Sequence, residues 1–353
     1  MIERLFNACL ITPDGIKPSD PGLEVVGVFN PGVAEHDGQV VIMARVAERP
    51  ADKQSGWISS PRFDPDKGLV VDRIEEADVI CRDPRAFEHK DTGNVRLSFI
   101  SHVRVFRSAD GRSLDSNGYV PFSPATEMEE YGVEDPRITK IGETFYITYV
   151  AVSRHGACTA LASTQDFESF TRHGVIFPSE NKDVVLFPEK IAGSYAALHR
   201  PNPRYHFAPP EMWIAYSPDL EHWGRHAVLH TGTADWETGR IGGGAPPVRT
   251  PAGWLEIYHG NALTSADALV GEYVASALVM DPADPSKIIA YTDEPIMKPE
   301  THFEREGFLG GIVFPTGIID RGDVVQVFYG AADTNTAVVE FSKDSLLDAL
   351  SRR

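Results

Sequence analysis

A unit that recurs along the chain constrains its fold more than any other feature. A Gly or Asp turn followed by a short apolar or aromatic strand returns about every 50 to 60 residues. The clear copies are DGQVVIMARV (37–46), GETFYITYVAVS (142–153), GSYAALHR (193–200), AGWLEIYHG (252–260) and GDVVQVFYGAADT (322–334). Self-similar strand units are typical of a β-propeller, in which each repeat forms one blade. Five copies therefore predict a five-bladed β-propeller.

The rest of the chain is consistent with one all-β domain. Its 30 Gly and 26 Pro among 353 residues exceed what a helical protein normally carries, and these residues supply turns. Only the tail SKDSLLDALSRR shows a helical pattern, with Leu346, Leu347 and Leu350 on one face and Ser342 or Asp344 as a cap. No linker or shift in composition marks a boundary. We predict a single domain over residues 1–353 that ends in a short helix.

Composition argues against several classes of function. A net charge of −18 disfavours a nucleic-acid binder, whose affinity comes from Lys and Arg on phosphates. No apolar run is long enough for a membrane span and no secretory leader is evident, so we expect a cytoplasmic protein without membrane contact. Three distant cysteines and scattered histidines predict neither a disulfide framework nor a metal site. No GxSxG motif predicts a catalytic serine.

The segment YGVEDPRIT (131–139) is the first candidate site. Glu134, Asp135 and Arg137 flank a proline just before a strand, and one of the two acids is a candidate proton donor. The alternative is an acidic turn in which Arg137 neutralises the carboxylates. Because adjacent side chains on an extended strand point to opposite faces, we expect only one acid to face the central channel.

Two further segments place cations where strands begin or end. Arg45 and Arg49 surround the end of the MARV strand and are suited to clamping an anion, although a pair of surface arginines is the commoner arrangement. In NKDVVLFPEK (181–190), Lys182 and Asp183 precede an apolar run, and a solvated loop with ion pairs across a hairpin is the alternative.

The last candidates lie toward the C-terminus. The glycine run before APP (242–247) allows backbone to approach a ligand closely, but it lacks the GK[ST] of a phosphate-binding loop. Tyr258 and His259 end a strand. Asp333 follows another strand, where a plain turn residue is equally expected.

Taken together, these boxes resemble glycoside hydrolase family 130, the mannoside phosphorylases and mannosidases. The resemblance rests on NPG before MARV, EDPRIT, NKDVVLFPEK, HRP, GGGAPP, YHG and FYGAADT, in the family's order from about residue 25 to 345. It implies a five-bladed β-propeller core over that range and inverting cleavage of a β-mannoside. Lys182, where some members have arginine, looks more like members that act on β-1,2-linked mannosides.

The resemblance also implies roles for individual residues. Asp135 would be the general acid, with its proton reaching the glycosidic oxygen through a mannose hydroxyl. The implied phosphate pocket comprises Arg45, Arg49, Lys182, Tyr258 and His259. The implied substrate-binding residues are Asn30, Glu134, Arg137, Asp183, His206, Tyr273 and Asp333.

This set favours phosphorolysis over hydrolysis. An inverting hydrolase needs a second carboxylate as base, whereas a phosphorylase needs cations to hold an anionic nucleophile. We therefore expect a β-mannoside and inorganic phosphate as co-substrates, no cofactor, and mannose 1-phosphate as product; a homo-oligomer is compatible with the sequence. The alternatives are a β-1,2-mannosidase that uses Glu189 or Glu237 as base, and a non-catalytic sugar-binding propeller.

Overall fold

The computed structural model describes residues 2–115, 118–119, 121–202, 207–262 and 270–352 and confirms an all-β chain. In chain order the strands are β1 (Phe6–Ile11), β2 (Leu23–His36), β3 (Gln39–Pro50), β4 (Trp57–Asp64), β5 (Gly68–Glu75), β6 (Val79–Asp83), β7 (Ala86–His89), β8 (Val95–Leu97), β9 (Ile100–Ser108), β10 (Pro121–Phe122), β11 (Gly132–Ile141), β12 (Thr144–Ser153), β13 (Gly156–Thr164) and β14 (Thr171–Phe177). They continue with β15 (Asn181–Leu186), β16 (Tyr195–Pro201), β17 (Met212–Ser217), β18 (Gly224–His230), β19 (Arg240–Gly243), β20 (Val248–Thr250), β21 (Gly253–Ala262), β22 (Glu272–Met280), β23 (Ile288–Thr292), β24 (Val313–Asp320), β25 (Val324–Ala331), β26 (Asn335–Ser342) and β27 (Leu350–Arg352).

The large sheets are built from antiparallel neighbours. Two of them have the orders β1-β26-β25-β24 and β15-β16-β17-β18, and a third has the order β19-β21-β22-β23-β27, with β20 beside β21. The longest has the order β14-β13-β12-β11-β9-β3-β2, with β10 beside β9. Its two halves meet only at a parallel bridge between Gly132 and Ser101. It therefore consists of two antiparallel groups of strands joined at one point.

Apolar layers pack each group of strands against the next. Leu255 on β21 shares a core with Val327 on β25, and Val28 on β2 shares another with Phe328 on β25. Further layers join β3 to β11, β13 to β16, and β15 to β21; they contain the pairs Met43 with Val133, Leu161 with Ala197, and Val185 with Trp254. Each fully buried side chain of this size contributes about 1.5–3 kcal/mol.

The innermost strands of these groups contact one another. β2 lies against both β11 and β24, and β15 lies against both β11 and β19. Their facing ends surround the site described below.

Helical structure is short in the described part of the chain. The helices are α1 (His302–Arg305) and α2 (Lys343–Asp348), with 3₁₀ turns at Pro13–Gly15, Glu76–Asp78, Glu127–Glu129 and Asp235–Glu237. α2 is the C-terminal helix that the sequence predicts: the Ser342 hydroxyl accepts a hydrogen bond from the Ser345 amide at 3.3 Å, and Leu346 is fully buried. Leu350 lies beyond the helix, in β27.

The segment between β3 and β9 is an insertion of two small sheets, β4-β5 and β6-β7-β8. It delivers Arg85, Ala86 and Leu97 to the wall of the main cavity. In the residues described, no helix is long and apolar enough to cross a bilayer.

Candidate active site

A cavity of about 330 Å³ lies where the innermost strands meet. Its polar walls are formed by residues from every large sheet and from the insertion, and four phenylalanines contribute apolar surface. The polar and charged lining residues are Asn30, Arg45, Arg85, Glu134, Asp135, Lys182, Asp183, Arg200, Asn202, Arg240, Tyr273 and Asp333; the phenylalanines are Phe29, Phe99, Phe308 and Phe314. Among these described residues five are basic and four are acidic, so the cavity is far less acidic than the chain as a whole.

Bulges in the innermost strands aim three of these side chains into the cavity. Asn30, Asp135 and Asp183 have φ angles of 51°, 49° and 55°. The strand register shifts at each of them, on β2, β11 and β15. Asn and Asp tolerate this left-handed conformation better than other residues with side chains. A proline follows Asn30 and Asp135, and its missing N–H suits an unpaired bulge position.

The expectation that only one of the two acids on β11 faces the channel is wrong, because the strand has a bulge there. Glu134 and Asp135 both line the cavity. Arg45 joins them: one terminal nitrogen lies 2.7 Å from Glu134 Oε1 and the other 3.0 Å from Asp135 Oδ1. Alternation of side chains holds for regular strands, and the left-handed residue breaks it here.

Asp135 is nearly buried and is held by donors. Asn30 Nδ2 donates to Asp135 Oδ1 at 2.8 Å, beside the bond from Arg45. Burial alone would raise the pKa of Asp135, but the charges of Arg45, Arg137 and Lys182 together with the Asn30 hydrogen bond lower it. Without a bound anion Asp135 is therefore a carboxylate.

Arg137 lies behind the cavity wall and connects its parts. This fully buried side chain donates from one terminal nitrogen to the Asp135 carbonyl at 2.7 Å and from the other to Asp183 Oδ1 at 3.4 Å. Its Nε donates to the Gly244 carbonyl at 3.3 Å. The structure therefore places Arg137 as a support for the lining residues and outside the lining itself.

Asp183 is the centre of an ion cluster. Arg200 Nε donates to Asp183 Oδ2 at 2.6 Å, and His259 Nε2 lies 3.4 Å from the same oxygen. Burial would raise the pKa of Asp183, yet the charges of Arg200 and Arg137 and the neighbouring His259 lower it well below its usual range. Burial lowers the pKa of His259 although Asp183 opposes that shift. The imidazole is therefore neutral near pH 7.

His259 and Tyr273 form part of an aromatic corner. His259 is fully buried behind the wall. The centroid of its ring lies 4.4 Å from that of Phe314 and 5.8 Å from that of Tyr273. Burial raises the pKa of Tyr273, so its hydroxyl is a donor rather than an anion. Of the two, Tyr273 is in the lining.

Three cations cluster on the side of the cavity near Asp183. Lys182 on β15 lies directly opposite Arg200 on β16, and Arg240 on β19 lines the same cavity. Arg240 Nε is buried and has no hydrogen-bond partner among the residues described. The positive charge of Lys182 also helps to lower the pKa of Asp135. This arrangement can hold an anion next to a carboxyl group.

Asp333 is another lining residue of the cavity. It follows β25 in a left-handed conformation, with a φ angle of 45°. Burial and the neighbouring charges of Asp135 and Glu134 raise the pKa of Asp333 to about 6, while Arg85 and Arg45 oppose the rise. Its carboxyl group therefore titrates close to neutral pH.

Three members of the predicted phosphate pocket do not line the cavity: His259 lies behind its wall, and Arg49 and Tyr258 lie elsewhere. Arg49 is half-exposed, and its Nε donates to Glu24 Oε1 at 2.6 Å. Tyr258 is fully buried in an apolar core and donates its hydroxyl to Glu237 Oε1 at 2.8 Å, because it points to the face of β21 opposite His259. Neither residue lines the cavity. The predicted sugar contact His206 falls outside the described residues.

Neither glutamate considered as a hydrolytic base lines the cavity. Glu189 is exposed, and Glu237 is buried where it bonds His230 Nε2 at 2.9 Å and caps a 3₁₀ turn. The acids that line the cavity among the described residues are Glu134, Asp135, Asp183 and Asp333.

The glycines at 242–244 pack against other parts of the protein. A Cβ at Gly242 would lie 2.4 Å from Asp183 Oδ2, and one at Gly244 would lie 2.2 Å from the Ile257 carbonyl oxygen. Real side chains do not tolerate such distances, so the run lets β19 pack directly on Asp183 and β21.

Sequence reasoning assigned no role to Arg85, Arg200 or Arg240. Arg200 lies in the HRP box and Arg240 two residues before the glycine run, and proximity to those boxes was the available signal. Arg85 reaches the cavity from the inserted sheets, for which the repeat pattern provides no signal.

Comparison with known proteins identifies the family. The sequence model of glycoside hydrolase family 130, described as β-1,4-mannooligosaccharide phosphorylase, matches residues 79–352. The chain belongs to glycoside hydrolase family 130. The match covers strands β6 to β27, which carry most of the site residues, and confirms the predicted resemblance.

Relatives within family 130 are similar over most of the chain. A β-1,2-mannobiose phosphorylase of Listeria innocua is 38% identical over 99% of this chain and 98% of its own length. A 1,2-β-oligomannan phosphorylase of Thermoanaerobacter is 38% identical over 67% of this chain and 77% of its own. The structure of the Listeria innocua enzyme in complex with β-1,2-mannobiose superposes with a TM-score of 0.88, at 37% identity over 96% of both chains.

Proposed function

We propose that this protein is an inverting phosphorylase that cleaves β-1,2-mannosides with inorganic phosphate. Phosphate attacks the anomeric carbon of the terminal mannose, the C–O bond to the next sugar breaks, and α-mannose 1-phosphate and the shortened saccharide are released. The near full-length similarity to a β-1,2-mannobiose phosphorylase supports the substrate class. The observation that carries the phosphate role is the cluster of Lys182, Arg200 and Arg240 beside Asp135.

Phosphate binds, in this proposal, between the three cations. Lys182 contributes a point charge, and the two guanidinium groups contribute paired donors that match phosphate oxygens. His259, held against Asp183, supports the same wall. No second carboxylate is required, because phosphate is already the nucleophile and needs only to be held in line with the anomeric carbon.

Asp135 supplies the proton to the leaving oxygen, through a hydroxyl of the bound mannose. In the free protein the neighbouring cations keep Asp135 ionised. A phosphate dianion beside Lys182 offsets part of that positive charge and raises the pKa of Asp135. Binding of the nucleophile therefore favours the protonated acid that the reaction requires.

The sugar occupies the remainder of the cavity. Asn30 and Asp333 offer hydrogen bonds to ring hydroxyls at one side, and Phe29, Phe99 and Phe314 offer apolar faces. A volume of about 330 Å³ lies at the small end of ligand cavities, which suits the terminal mannose with the next sugar near the opening.

We further propose that the fold is the five-bladed β-propeller predicted from the repeats. The apolar layers link five groups of strands in sequence, and the last layer returns to the first group through β2 and β25. β1 completes the group made by β24, β25 and β26, so the N-terminal strand joins the last of these groups, while β27 pairs with β23 in another sheet. Such closure places every innermost strand around one cavity.

The proposal is tested by Asp135→Asn in the full-length protein. The substitution keeps the shape and the Asn30 and Arg45 contacts but removes the proton. We expect β-1,2-mannobiose phosphorolysis to fall by about 10³-fold or more. Calorimetry should still detect binding of mannobiose.

Three outcomes separate the competing functions. Wild-type activity in Asp135→Asn would overturn the role of Asp135. Release of mannose by the wild type at an unchanged rate without phosphate would indicate a β-mannosidase. Binding without turnover in the wild type would indicate a non-catalytic sugar-binding protein.

A further inference from the structure

Glu256 is a fully buried carboxyl group directly behind the cavity wall. It lies on β21, and its Oε1 accepts a hydrogen bond from the Gly244 amide at 2.9 Å. Its Oε2 has no hydrogen-bond partner among the residues described. A buried carboxylate is costly unless it is paired, so its retention here requires a reason.

The Gly244 peptide links Glu256 to the acid. Its amide is held by Glu256, and its carbonyl accepts from Arg137 Nε at 3.3 Å. Arg137 in turn holds the Asp135 carbonyl at 2.7 Å and Asp183 at 3.4 Å. A continuous set of contacts therefore runs from Glu256 to both sides of the proposed site.

We propose that Glu256 is a positioning residue: it fixes the Gly244 peptide, which orients Arg137 behind Asp135 and Asp183. The inference rests on the proposed phosphorolysis and names a residue outside the cavity on which that reaction depends.

The carboxyl group acts in its neutral form. Burial raises the pKa of Glu256 well above its usual range, and the Gly244 hydrogen bond and the Arg137 charge only partly oppose this. A neutral acceptor aligns the peptide without attracting Arg137 away from Asp135 and Asp183. A glutamine at this position offers the same carbonyl acceptor with nearly the same shape.

There is no room for a side chain at position 244. A Cβ there would lie 2.2 Å from the Ile257 oxygen and 2.9 Å from Pro315 Cγ. The peptide is thus confined between β21 and β24, and only its amide is available to a side chain acceptor. Glu256 occupies that position.

The test compares Glu256→Gln and Glu256→Leu with the wild type, measuring kcat and the KM for phosphate alongside the Kd for β-1,2-mannobiose. We expect Glu256→Gln to stay within about threefold of wild type in every parameter. We expect Glu256→Leu to lose about tenfold or more in kcat/KM for phosphate, with a mannobiose Kd within about twofold. Leu255→Val, on the opposite face of β21, controls for loss of packing and should leave kcat/KM unchanged.

Two results would overturn the inference while wild-type phosphorolysis is observed. One is wild-type kcat/KM in a folded Glu256→Leu variant. The other is a tenfold loss in Glu256→Gln, which is decisive even where the leucine variant does not fold. Absence of phosphorolysis in the wild type would instead contradict the proposed function.

Discussion

At the scale of single residues, charge arrangement distinguishes this site from an ordinary acidic surface. Arg45 is shared by Glu134 and Asp135, while Asp183 is shared by Arg137 and Arg200. Glu134, Asp135 and Asp183 are thus matched by cations, and Lys182 and Arg240 also line the cavity. Removing one partner of such a buried pair costs about 3–5 kcal/mol, so these residues serve stability as well as chemistry.

The cation cluster yields a prediction about phosphate. We expect Lys182→Ala or Arg240→Ala to raise the KM for phosphate about tenfold or more, and the KM for mannobiose much less, because each loses a charge-assisted contact to the anion. Arg49→Ala is the matched control, since Arg49 pairs with Glu24 outside the cavity. Steady-state kinetics with each substrate varied in turn makes the comparison. Equal changes in both KM values for Lys182→Ala would contradict a phosphate site there.

Asp333 yields a prediction about pH. Its folded pKa of about 6 exceeds the usual value, so the folded protein retains a proton that the unfolded chain releases above about pH 4. Stability contributed by protonated Asp333 is therefore lost as pH rises from about 4 to 6.

Asn at position 333 removes this titration and also tolerates the left-handed backbone. We expect the free energy of unfolding of Asp333→Asn, relative to wild type, to rise by on the order of 2 kcal/mol between pH 4 and pH 7. Urea titrations at the two pH values measure it. A difference that does not change with pH would show that Asp333 is not perturbed.

The sequence predicted which kinds of residue form the site better than it predicted which individual residues reach the cavity. Asn30, Asp135, Lys182 and Tyr273, all among the predicted site residues, line the cavity. Arg49 lies on the same face of β3 as Arg45 but four residues further along, about 13 Å away, where a salt bridge with Glu24 engages it. The spacing of Arg45 and Arg49 correctly indicates that they share one face of β3, but it does not show how far each lies from the cavity.

At the scale of elements, bulges and glycines determine which side chains reach the cavity. The left-handed Asp135 places both acids of EDPR on the cavity, against the alternation rule, whereas Tyr258 and His259 follow the rule and diverge. A bulge depends on pairing with a neighbouring strand, and that information is absent from a local pattern.

The glycine run yields a prediction at this scale. We expect Gly244→Ala to lower stability by about 1–3 kcal/mol, because a Cβ would overlap the Ile257 carbonyl and the backbone would have to shift. Gly224→Ala is the control, since a Cβ at Gly224 meets nothing within 4 Å. Thermal unfolding of both variants measures the difference. A Gly244→Ala variant as stable as Gly224→Ala would contradict the close packing of β19 on β21.

At the scale of the whole molecule, the N-terminal segment ties the first and last groups of strands together. β1 pairs with β26, from Phe6 opposite Glu340 to Ile11 opposite Thr336. Arg4 lies 2.7 Å from the fully buried Glu304, which also accepts from the Tyr329 hydroxyl at 2.7 Å. The repeat pattern predicted the groups of antiparallel strands, but it contained no information on which strand pairs with β26.

The contacts of the N-terminal segment yield the prediction for the whole molecule. We expect Arg4→Ala to cost about 3 kcal/mol or more, because Glu304 then loses its cation while it remains buried. Arg73→Ala is the matched control: its pair with Asp52 is exposed, and exposed pairs contribute about 0–1 kcal/mol. Chemical unfolding of the two variants compares them. Equal losses would show that the buried pair of Arg4 and Glu304 does not hold the N-terminal segment in place.

The most direct test of the central claim is the phosphate dependence of bond cleavage in the wild-type protein. With β-1,2-mannobiose as substrate, phosphate is titrated and both mannose and α-mannose 1-phosphate are quantified by NMR. We predict a rate that saturates with phosphate, falls to background without it, and yields one α-mannose 1-phosphate for each bond cleaved. Cleavage that continues unchanged without phosphate, with free mannose as the sole product, would contradict the account.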